Sequence, residues 1–473
     1  ATNDGYLHAI DGASGEELWS FIPKELLPDL GKLFFNDDAS SKHYGIDGDI
    51  VPIVADRDNN GTIDGDDFVY IVFGMRRGGN SYYAIDVTRR NDPQLLWQVN
   101  YPGMGQSWSA PSIARVDVNG AQQNDDKAVV ILGGGYDTVH DVAAHPDQPD
   151  AEGAGIHMLD LVSGEELWRA GADTGADLRL NRMTRAIPSR IRVIDMNGDK
   201  LADRMYAADL GGQVWRIDLF NGRFANQLAT GGVIGQFGAE GTAVASPTET
   251  RRFYNSPDVA LFTDTTQNRR YLSVSIGSGY RAHPLDSDAA DRFYSLRDPD
   301  IFNALTQAEY DGYDIARDAD MVEVSGRLNV ALTPEDRGWK LTLPPTQKVL
   351  TDSVTFDNSV FFTGFSPDIR AAADCRASVG RNFLYRMNIV NGDPVVNNRD
   401  LLTAETADAA RSTDLAQGGI APSPTFLFPS SGDENCEGES CLQPPLGCVG
   451  VECFDPGFVN RPVRTLWTQD GIQ

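Results

Sequence analysis

PSRIRVIDMNGDKLADRMYAADLGGQVWRIDL, residues 188–219, is the clearest copy of a unit that recurs along the chain. An apolar strand runs into an Asp-led turn, a second apolar strand ends in glycines, and a third, aromatic strand ends in a polar residue. Short apolar runs bounded by Asp and Gly predict strands and tight turns. The same unit begins four more times, with DIVPIVAD (49–56), PSIARVD (111–117), SPDVALFTD (256–264) and VTFD (354–357).

Some copies add a fourth strand, and DGASGEELW (11–19) is nearly identical to DLVSGEELW (160–168). Repeated sets of four short strands predict an all-β chain that folds as a β-propeller with four-stranded blades. The N-terminus supplies late strands and SPTFLFPSSGD (423–433) an early one, so we expect the two ends to close the ring. Six units can be counted; we expect seven blades, and the weak pattern at 300–350 has room for the other. We therefore interpret 1–473 as a single propeller domain with loop insertions.

The chain is strongly acidic, with a formal net charge of −28 over 473 residues. Such a surface repels a phosphate backbone, so we expect no nucleic-acid partner and favour divalent cations. No apolar run has transmembrane length, so we expect no membrane span. The chain shows no initiator Met or signal peptide, and we interpret it as a mature form or a fragment.

The cysteines are unevenly distributed: Cys375 stands alone, and four others crowd together, namely Cys436, Cys441, Cys448 and Cys453. Their spacing is Cys-x4-Cys twice, whereas zinc sites typically use Cys-x2-Cys. Two disulfides formed in an oxidising compartment are the favoured interpretation, with the pairing left open. We expect 431–458 to be a Cys-rich, disulfide-linked insertion within the closing blade.

The turn DRDNNGTIDGDD (56–67) has the pattern of a calcium loop. Oxygen ligands at alternate positions let a short loop wrap a hard cation, and Gly61 suits the sharp turn at position 6. The predicted ligands are Asp56, Asp58, Asn60, Thr62 through its carbonyl oxygen, Asp64 and Asp67. The alternative is an ordinary hairpin rich in Asp, Asn and Gly.

A second turn, DMNGDKLAD (195–203), keeps this alternation with its glycine at position 4. The predicted ligands are Asp195, Asn197, Asp199, Leu201 through its carbonyl oxygen, and Asp203. The equivalent turn DVNGAQQNDD, which starts at Asp117, loses the spacing, and we interpret it as a plain turn. Since just two of the turns fill alternate positions, we expect one or two bound Ca²⁺ ions, and Mg²⁺ fits less well because it keeps more water.

The stretch DMNGDKLADRMYAADLGGQVWRIDL (195–219) resembles the calcium loop and following strands of the PilC/PilY family, the type IV pilus tip-associated proteins of Gram-negative bacteria. GGGYD (133–137) and GSGYR (277–281) are similar to other segments of that family. The resemblance covers roughly 45–400. It implies a seven-bladed C-terminal propeller whose calcium loop uses the 195–203 ligands named above.

The resemblance also implies a biological setting. It implies export through the periplasm to an extracellular pilus tip, with roles in pilus biogenesis, extension and retraction, twitching motility, adhesion and virulence. The implied partners are minor pilins of the tip complex, a host-cell or surface receptor, and a von Willebrand A-like N-terminal region that this chain does not contain. The Arg-Gly-Asp tripeptide of some members is missing from the sequence.

Two other functions compete with this interpretation. DxxSGEELW resembles the tryptophan-docking motif of quinoprotein dehydrogenase propellers, which hold pyrroloquinoline quinone, but no adjacent Cys-Cys pair is present. A calcium-dependent lectin-like or integrin-like binding propeller is the other alternative. The histidines form no metal or triad pattern, so we predict no catalytic residues. RRGGNSYY (76–83) and the insertion at 137–155 are further regions where we expect contacts with partners.

Overall fold

The computed structural model describes residues 1–35, 43–142, 148–238, 249–264, 268–367, 379–395, 402–429 and 444–457. The first strands are β1 (Leu7–Ile10), β2 (Glu17–Phe21), β3 (Ile50–Ala55), β4 (Phe68–Gly74), β5 (Tyr82–Asp86) and β6 (Gln94–Val99). There follow β7 (Ser112–Arg115), β8 (Val118–Asn119), β9 (Ala128–Gly133), β10 (Ile156–Asp160), β11 (Glu166–Gly171) and β12 (Leu178–Arg179). The middle of the chain forms β13 (Arg192–Ile194), β14 (Arg204–Ala208), β15 (Gln213–Leu219), β16 (Arg223–Phe224) and β17 (Ala229–Gln236).

The second half of the chain continues in the same manner. Its strands are β18 (Asp258–Asp264), β19 (Arg269–Gly277), β20 (Arg292–Asp298), β21 (Ala316–Arg317), β22 (Val322–Glu323), β23 (Gly338–Thr342) and β24 (Lys348–Val349). The last strands are β25 (Val354–Phe356), β26 (Ser359–Ser366), β27 (Arg381–Asn388), β28 (Ser412–Leu415), β29 (Thr425–Leu427), β30 (Leu446–Val449) and β31 (Glu452–Phe454). The helices are short: α1 (Leu30–Phe35), α2 (Val139–Val142), α3 (Gln307–Asp311) and α4 (Ala404–Arg411).

Hydrogen bonding groups these strands into successive sheets, which we number in chain order. Sheet 1 is β1–β2, sheet 2 is β3–β6, sheet 3 is β7 and β9–β12, and sheet 4 is β13–β15, β17 and β21. Sheet 5 is β18–β20, β22 and β23, sheet 6 is β24–β28, and sheet 7 is β29–β31. In sheets 2 to 6 the first three predicted strands of each unit pair antiparallel in order, as the repeat predicts.

Each sheet packs on the next through a shared apolar cluster. Separate clusters join sheets 1 and 2, 2 and 3, 3 and 4, 4 and 5, 5 and 6, and 6 and 7. The aromatic strand residues Tyr82, Tyr83 and Trp215 are buried in this packing, so Tyr82 and Tyr83 are not accessible to a partner although 76–83 was expected to contact one. Sheets that stack face to face in chain order form a β-propeller, which confirms the predicted fold class.

The tryptophan of the outer strand fastens one sheet to the next. Its indole N–H donates to a backbone carbonyl oxygen in the turn after the third strand of the following sheet. The pairs are Trp19 with Arg90 (3.1 Å), Trp97 with Leu161 (2.9 Å) and Trp339 with Ile389 (2.8 Å). Trp19, which ends the first DxxSGEELW motif, therefore serves the packing of neighbouring blades, and Trp97 and Trp339 do the same outside the motif.

The first strands of the units line the axis, where the chain segments just before them are hydrogen-bonded to one another. Ser109 Oγ donates to the Ser189 carbonyl oxygen (2.8 Å), linking sheets 3 and 4. The Ser256 N–H donates to Asp352 (2.9 Å), whose own N–H donates to Ser423 Oγ (3.1 Å), linking sheets 5, 6 and 7. These segments mark one end of the axis, and the turns after the first strands lie at the other end.

The 300–350 segment does not form a separate blade. β21 lies parallel to β17 in sheet 4, β22 and β23 complete sheet 5, and β24 pairs with β26 in sheet 6. These strands extend their neighbours because each is too short to build a sheet of its own. Among the described strands, β1 pairs with β2 and β29 with β30, so closure of the ring and the seven blades stay predictions.

One disulfide forms in the described part of the Cys-rich segment, between Cys448 and Cys453. The two residues face each other across the β30–β31 hairpin. Cys375, Cys436 and Cys441 lie outside the described residues. Among the described helices, none is long and apolar enough to cross a membrane.

Candidate cation sites on the first hairpin turns

Both predicted cation loops occupy the same place in their units, the turn from the first to the second strand. The 56–67 loop joins β3 to β4 in sheet 2, and the 195–203 loop joins β13 to β14 in sheet 4. They therefore lie at the same end of the propeller, opposite the axial segments that contain Ser109 and Asp352.

In the first loop, three predicted ligands come together. One carboxylate oxygen each of Asp56, Asp58 and Asp67 lies within 4.8 Å of the others. The backbone is shaped for this, since Gly61 has φ +79° and its N–H donates to Asp56 (2.8 Å). Asp67 reaches back to accept the N–H of Arg57 at 2.8 Å. The loop thus wraps its carboxylates around one point, as the alternating pattern predicts.

The other predicted ligands of this loop line its wall. The Thr62 N–H donates to Asn60 Oδ1 (2.7 Å), and Asn60 Nδ2 donates to Asp58 (2.7 Å). Asp64 lies outside the group of three carboxylates, and its N–H donates to Asp67 at 3.1 Å. An amide whose nitrogen faces a carboxylate presents its oxygen there after a 180° turn. Asn60 can therefore join the three carboxylates as a ligand.

The second loop is held by a denser set of hydrogen bonds. Asp195 accepts the N–H groups of Gly198 (2.6 Å) and Lys200 (2.8 Å). Asn197 Nδ2 lies between Asp199 (3.1 Å) and Asp203 (3.4 Å) and donates to both. Turning this amide would bring its oxygen between the two carboxylates. The Leu201 N–H donates to Asp199 at 2.8 Å, and the neighbouring backbone follows the predicted alternation.

The second loop is anchored to neighbouring structure through the backbone of Ala202, while its tip at 197–200 is exposed like that of the first loop. The Ala202 N–H donates to the Arg115 carbonyl oxygen of sheet 3 (2.8 Å), and Ala202 is buried. Asn221 Nδ2 donates to the Ala202 carbonyl oxygen (2.9 Å), while Asn221 Oδ1 accepts the Asp117 N–H (2.9 Å). Asn221 is a supporting residue that the sequence pattern did not indicate, because it lies 18 positions beyond the loop's last predicted ligand.

The two loops differ from the turn that we interpreted as plain in whether their aspartates form ion pairs. In the plain turn, Asp117 pairs with Lys127 (2.5 Å) and Asp126 pairs with Arg57 (2.6 Å). Within the described residues, no ion pair to Lys, Arg or His forms at the aspartates of the two loops, namely Asp56, Asp58, Asp64, Asp67, Asp195, Asp199 and Asp203. Like charges held together without a counter-ion repel one another.

Asp203 shows the effect of this crowding. Burial raises the pKa of its carboxyl group above the ordinary value, and the charges of Asp199 and Asp195 raise it further. The N–H of Met196, 2.7 Å from Asp203, opposes the increase without cancelling it. A cation bound between these side chains would offset the repulsion from Asp199 and Asp195 and so favour the ionised form of Asp203.

The residues present fit a hard divalent cation. Carboxylate, amide and backbone carbonyl oxygens are the ligands that Ca²⁺ takes, and the alternating loop supplies all three types. The first loop brings its carboxylates within coordinating reach of a single ion. In the second loop the Asn197 amide lies between Asp199 and Asp203, but within the described residues its aspartates do not meet within 4.8 Å of one another as those of the first loop do.

A cleft that the sequence did not indicate lies beside the first loop. It has a volume of 630 Å³, and its lining includes Asp66, Phe68 and Arg57 of sheet 2 and Asp125 of the turn in sheet 3. Its residues come from four separate turns, so no local pattern identifies it. Asp67, one of the three clustered carboxylates, is also part of the cleft's lining.

Several known proteins are similar to this chain in sequence, and one solved domain is similar in fold. The family model described as the PilY1 beta-propeller domain matches residues 1–250. The type IV pilus biogenesis factor PilY1 of Pseudomonas aeruginosa is 30% identical over 231 residues, which cover 47% of this chain and 17% of that protein. A PilY1 homolog of Xylella fastidiosa is 24% identical over 450 residues, covering 89% of this chain and 28% of the homolog. The chain thus spans less than a third of either relative.

The crystal structure of the P. aeruginosa PilY1 C-terminal domain superimposes with a TM-score of 0.63 and 20% sequence identity. The match covers 96% of this chain and 91% of that domain. It supports the propeller architecture across nearly the whole chain.

Proposed function

Because this chain belongs to the PilY1 β-propeller family, we propose that it is the calcium-binding, non-enzymatic propeller of a type IV pilus protein. The protein acts in pilus assembly and in the balance of extension and retraction, and it contacts surfaces or host cells. It works at the extracellular tip of the pilus of a Gram-negative bacterium, after export through the periplasm. Its partners are minor pilins, a surface receptor and the von Willebrand A-like region of the same protein.

The observation that carries the calcium proposal is the charge of the two loops. Three carboxylates of the first loop meet within 4.8 Å with no Lys, Arg or His paired to them in the described residues. The corresponding acids in the neighbouring turn are paired, as Asp117 is with Lys127. Asp56, Asp58 and Asp67 would hold one ion, and the 195–203 ligands another. Calcium supplies the positive charge that offsets the repulsion.

The packing role of the tryptophans in the DxxSGEELW motif supports a non-enzymatic function. Trp19 and Trp168, the two tryptophans of the motif, both pack between neighbouring sheets, and Trp19 also donates its indole N–H to the next sheet. That role explains DxxSGEELW without a reaction. The relatives are named as pilus biogenesis factors.

The loops transmit calcium binding to the surfaces beside them. The second loop is tied to sheet 3 through Ala202 and Arg115, so its order affects the contact between sheets 3 and 4. The first loop shares Asp67 with the neighbouring cleft. A partner that needs the ordered state binds less well when the loops are empty, because part of its binding energy must order them. Extracellular sites of this type have dissociation constants of about 10⁻⁴–10⁻³ M.

The proposal is tested in the bacterium that makes the full-length protein. Asp203→Asn replaces the parental residue in the gene, and surface pili are counted by electron microscopy with added calcium and with a chelator. The Asn variant should respond to neither addition, whereas the parent should change its number of pili between the two conditions. Asp117→Asn is the matched control, since Asp117 leads the equivalent plain turn and should preserve the response. Equal responses in all three strains would overturn the proposal.

A further inference from the structure

The cleft beside the first cation loop lies between two successive sheets, and we call it the interblade cleft. Its volume is 630 Å³, and ligand sites commonly measure about 300–1,000 Å³. Sheet 2 forms one wall with residues at the ends of β4, β5 and β6. Sheet 3 forms the other wall with the plain turn 117–126 and with Val162, in the turn between β10 and β11. Of the lining residues, only Asp67 is a predicted calcium ligand.

The wall from sheet 2 places aromatic and acidic side chains next to one another. Tyr70, Asp86 and Gln94 lie opposite one another on three antiparallel strands, so their side chains project from the same face. Phe68, two residues before Tyr70, shares that face and stacks on Tyr70 with the ring centroids 4.3 Å apart. Within the described part of the chain, the Tyr70 hydroxyl has no hydrogen-bond partner. This wall therefore offers a half-buried ring and a carboxylate to one ligand.

The wall from sheet 3 holds a further carboxylate, that of Asp125, on a turn with fixed geometry. Asn124 Oδ1 accepts the N–H groups of Asp126 and Ala128, both at 3.1 Å. Asn124 Nδ2 donates to Asp160 at 2.8 Å, which ties the turn to the end of β10. The backbone on both sides of Asp125 is thus fixed before any ligand binds, which lowers the entropic cost of binding.

The lining of the interblade cleft carries an excess of negative charge. It contains two arginines, Arg57 and Arg89, and six aspartates, namely Asp66, Asp67, Asp86, Asp92, Asp125 and Asp126. Arg57 is paired with Asp126 at 2.6 Å. The Arg89 side chain is 84% exposed and lies 3.9 Å from Asp92, so it leaves the cleft open. Within the described ranges, Asp66, Asp86 and Asp125 form no ion pair, and their charge favours a positively charged ligand.

These three carboxylates are spaced for a cation larger than a metal ion. Among the residues that the structure describes, Asp66, Asp86 and Asp125 do not form a group whose oxygens lie within 4.8 Å of one another. Asp86 accepts the Thr88 N–H at 2.9 Å with one oxygen, and its other oxygen can accept from a ligand. A guanidinium or ammonium group has several N–H donors and is attracted to the face of an aromatic ring. It therefore matches both walls of the cleft.

We propose that the interblade cleft binds a basic side chain of a partner protein, whose cationic group pairs with Asp86 and Asp125 and lies against the ring of Tyr70. Arginine fits best, because its planar guanidinium both donates to carboxylates and stacks on aromatic rings. The same carboxylates repel a nucleic acid or an acidic polysaccharide, and a neutral sugar would leave their charge unpaired. The inference goes beyond the proposed function, since none of the three residues is a predicted calcium ligand.

The test uses fluorescence anisotropy with the labelled peptide Gly-Ser-Arg-Ser-Arg-Gly at about 0.15 M salt, where a Debye length of about 8 Å screens the distant charges of the protein. The parent should bind it about tenfold more tightly than the peptide in which citrulline, the neutral analogue, replaces arginine, since hydrogen bonds between charged groups are stronger than neutral ones. Asp86→Asn and Asp125→Asn should each remove most of this preference.

Asp288→Asn is the matched control, because it removes the same charge from an exposed residue that has no ion pair in the described structure and lies in the β19–β20 connection of sheet 5. It should keep the tenfold preference. Asp86→Asn should unfold at the parental urea concentration, because an Asn oxygen can still accept the Thr88 N–H.

Equal binding of the arginine and citrulline peptides by the parent would overturn the proposal. So would equal losses in Asp86→Asn and Asp288→Asn, since net charge alone would then explain the binding. Binding of a neutral oligosaccharide in place of the peptide would identify a different ligand and would also overturn it. Asp58→Asn should retain the peptide preference, so the interblade cleft and the calcium proposal can fail independently.

Discussion

Gly198 and Lys200 show how the second loop turns without the glycine at position 6. Gly198 has φ +80° and Lys200 has φ +72°, so the loop adopts the left-handed conformation at both positions. In the first loop the corresponding position 6 is Gly61, with φ +79°. Gly adopts this conformation at little steric cost, whereas for Lys it costs about 1 kcal/mol or more. The second loop accepts that strain because Asp195 holds the Lys200 N–H.

Gly198→Ala should destabilise the protein by about 1 kcal/mol and weaken calcium binding at the second loop. The cause would be purely conformational, since a Cβ at Gly198 would meet no atom within 4 Å. Urea denaturation and calcium titration measure the two effects. Gly12→Ala is the control, because Gly12 is equally open and lacks a left-handed φ. A Gly198→Ala variant as stable as the parent would contradict the conformational argument.

The contribution of Asp318 to the stability of the folded state depends on pH. Burial opposes its ionisation, but hydrogen bonds from Arg292, Lys340 and Tyr294 outweigh burial and lower its pKa to about 2. A carboxylate with a lowered pKa stabilises the folded state above its unfolded value of 3.8, and that contribution is lost as pH falls from there through about 2. None of these contacts has a local sequence signal.

Asp318→Asn should therefore lower the free energy of unfolding by about 2 kcal/mol at neutral pH. The difference from the parent should shrink as pH falls below about 4, because the parental carboxylate then becomes protonated. Urea denaturation at a series of pH values measures it. Asp311→Asn serves as the control, since Asp311 has no ion pair in the described structure and should give a small, flat difference. A pH-independent loss in Asp318→Asn would contradict the assigned cause.

Tryptophans on the outer strands stabilise the packing of each blade on the next. Trp97 donates its indole N–H to the Leu161 carbonyl oxygen, whereas the indole N–H of Trp168, also buried, has no hydrogen-bond partner among the described residues. Both side chains fill the space between two sheets. Comparing Trp97 with Trp168 therefore separates the contribution of the indole hydrogen bond to the free energy of unfolding from the contribution of ring packing.

Trp97→Phe should destabilise the protein by about 1–2 kcal/mol more than Trp168→Phe. Both changes remove a similar volume, but the first leaves the Leu161 carbonyl oxygen without its donor. Chemical denaturation of the two variants gives the comparison directly. If Trp168→Phe were the more destabilising, packing rather than the indole hydrogen bond would dominate the contact between sheets.

The first three strands of each unit could be predicted because their apolar runs and Asp or Gly turns are local signals. β12, β21 and β22 could not, since each has two residues and pairs parallel with a strand outside its own hairpin. The 300–350 segment looked like a weak blade for the same reason. Its strands complete sheets whose other members lie elsewhere in the sequence.

In the whole molecule, the two candidate cation loops lie at the same end of the propeller, since both join the first strand of a sheet to the second. The grouping of Asp56, Asp58 and Asp67 could be predicted because all three lie in one short turn, whereas cation binding at either loop stays a prediction. The apolar cluster that contains Trp108, Tyr136 and Tyr254 could not be predicted, since residues of three different sheets contribute to it.

The central claim is that both loops bind calcium, and calorimetric titration of the chelator-treated protein tests it most directly. The parent should bind two ions, Asp58→Asn and Asp203→Asn should each bind one, and Asp117→Asn should bind two. The dissociation constants should be about 10⁻⁴–10⁻³ M. A parent that binds no calcium at millimolar concentration, or variants that retain both sites, would contradict the account.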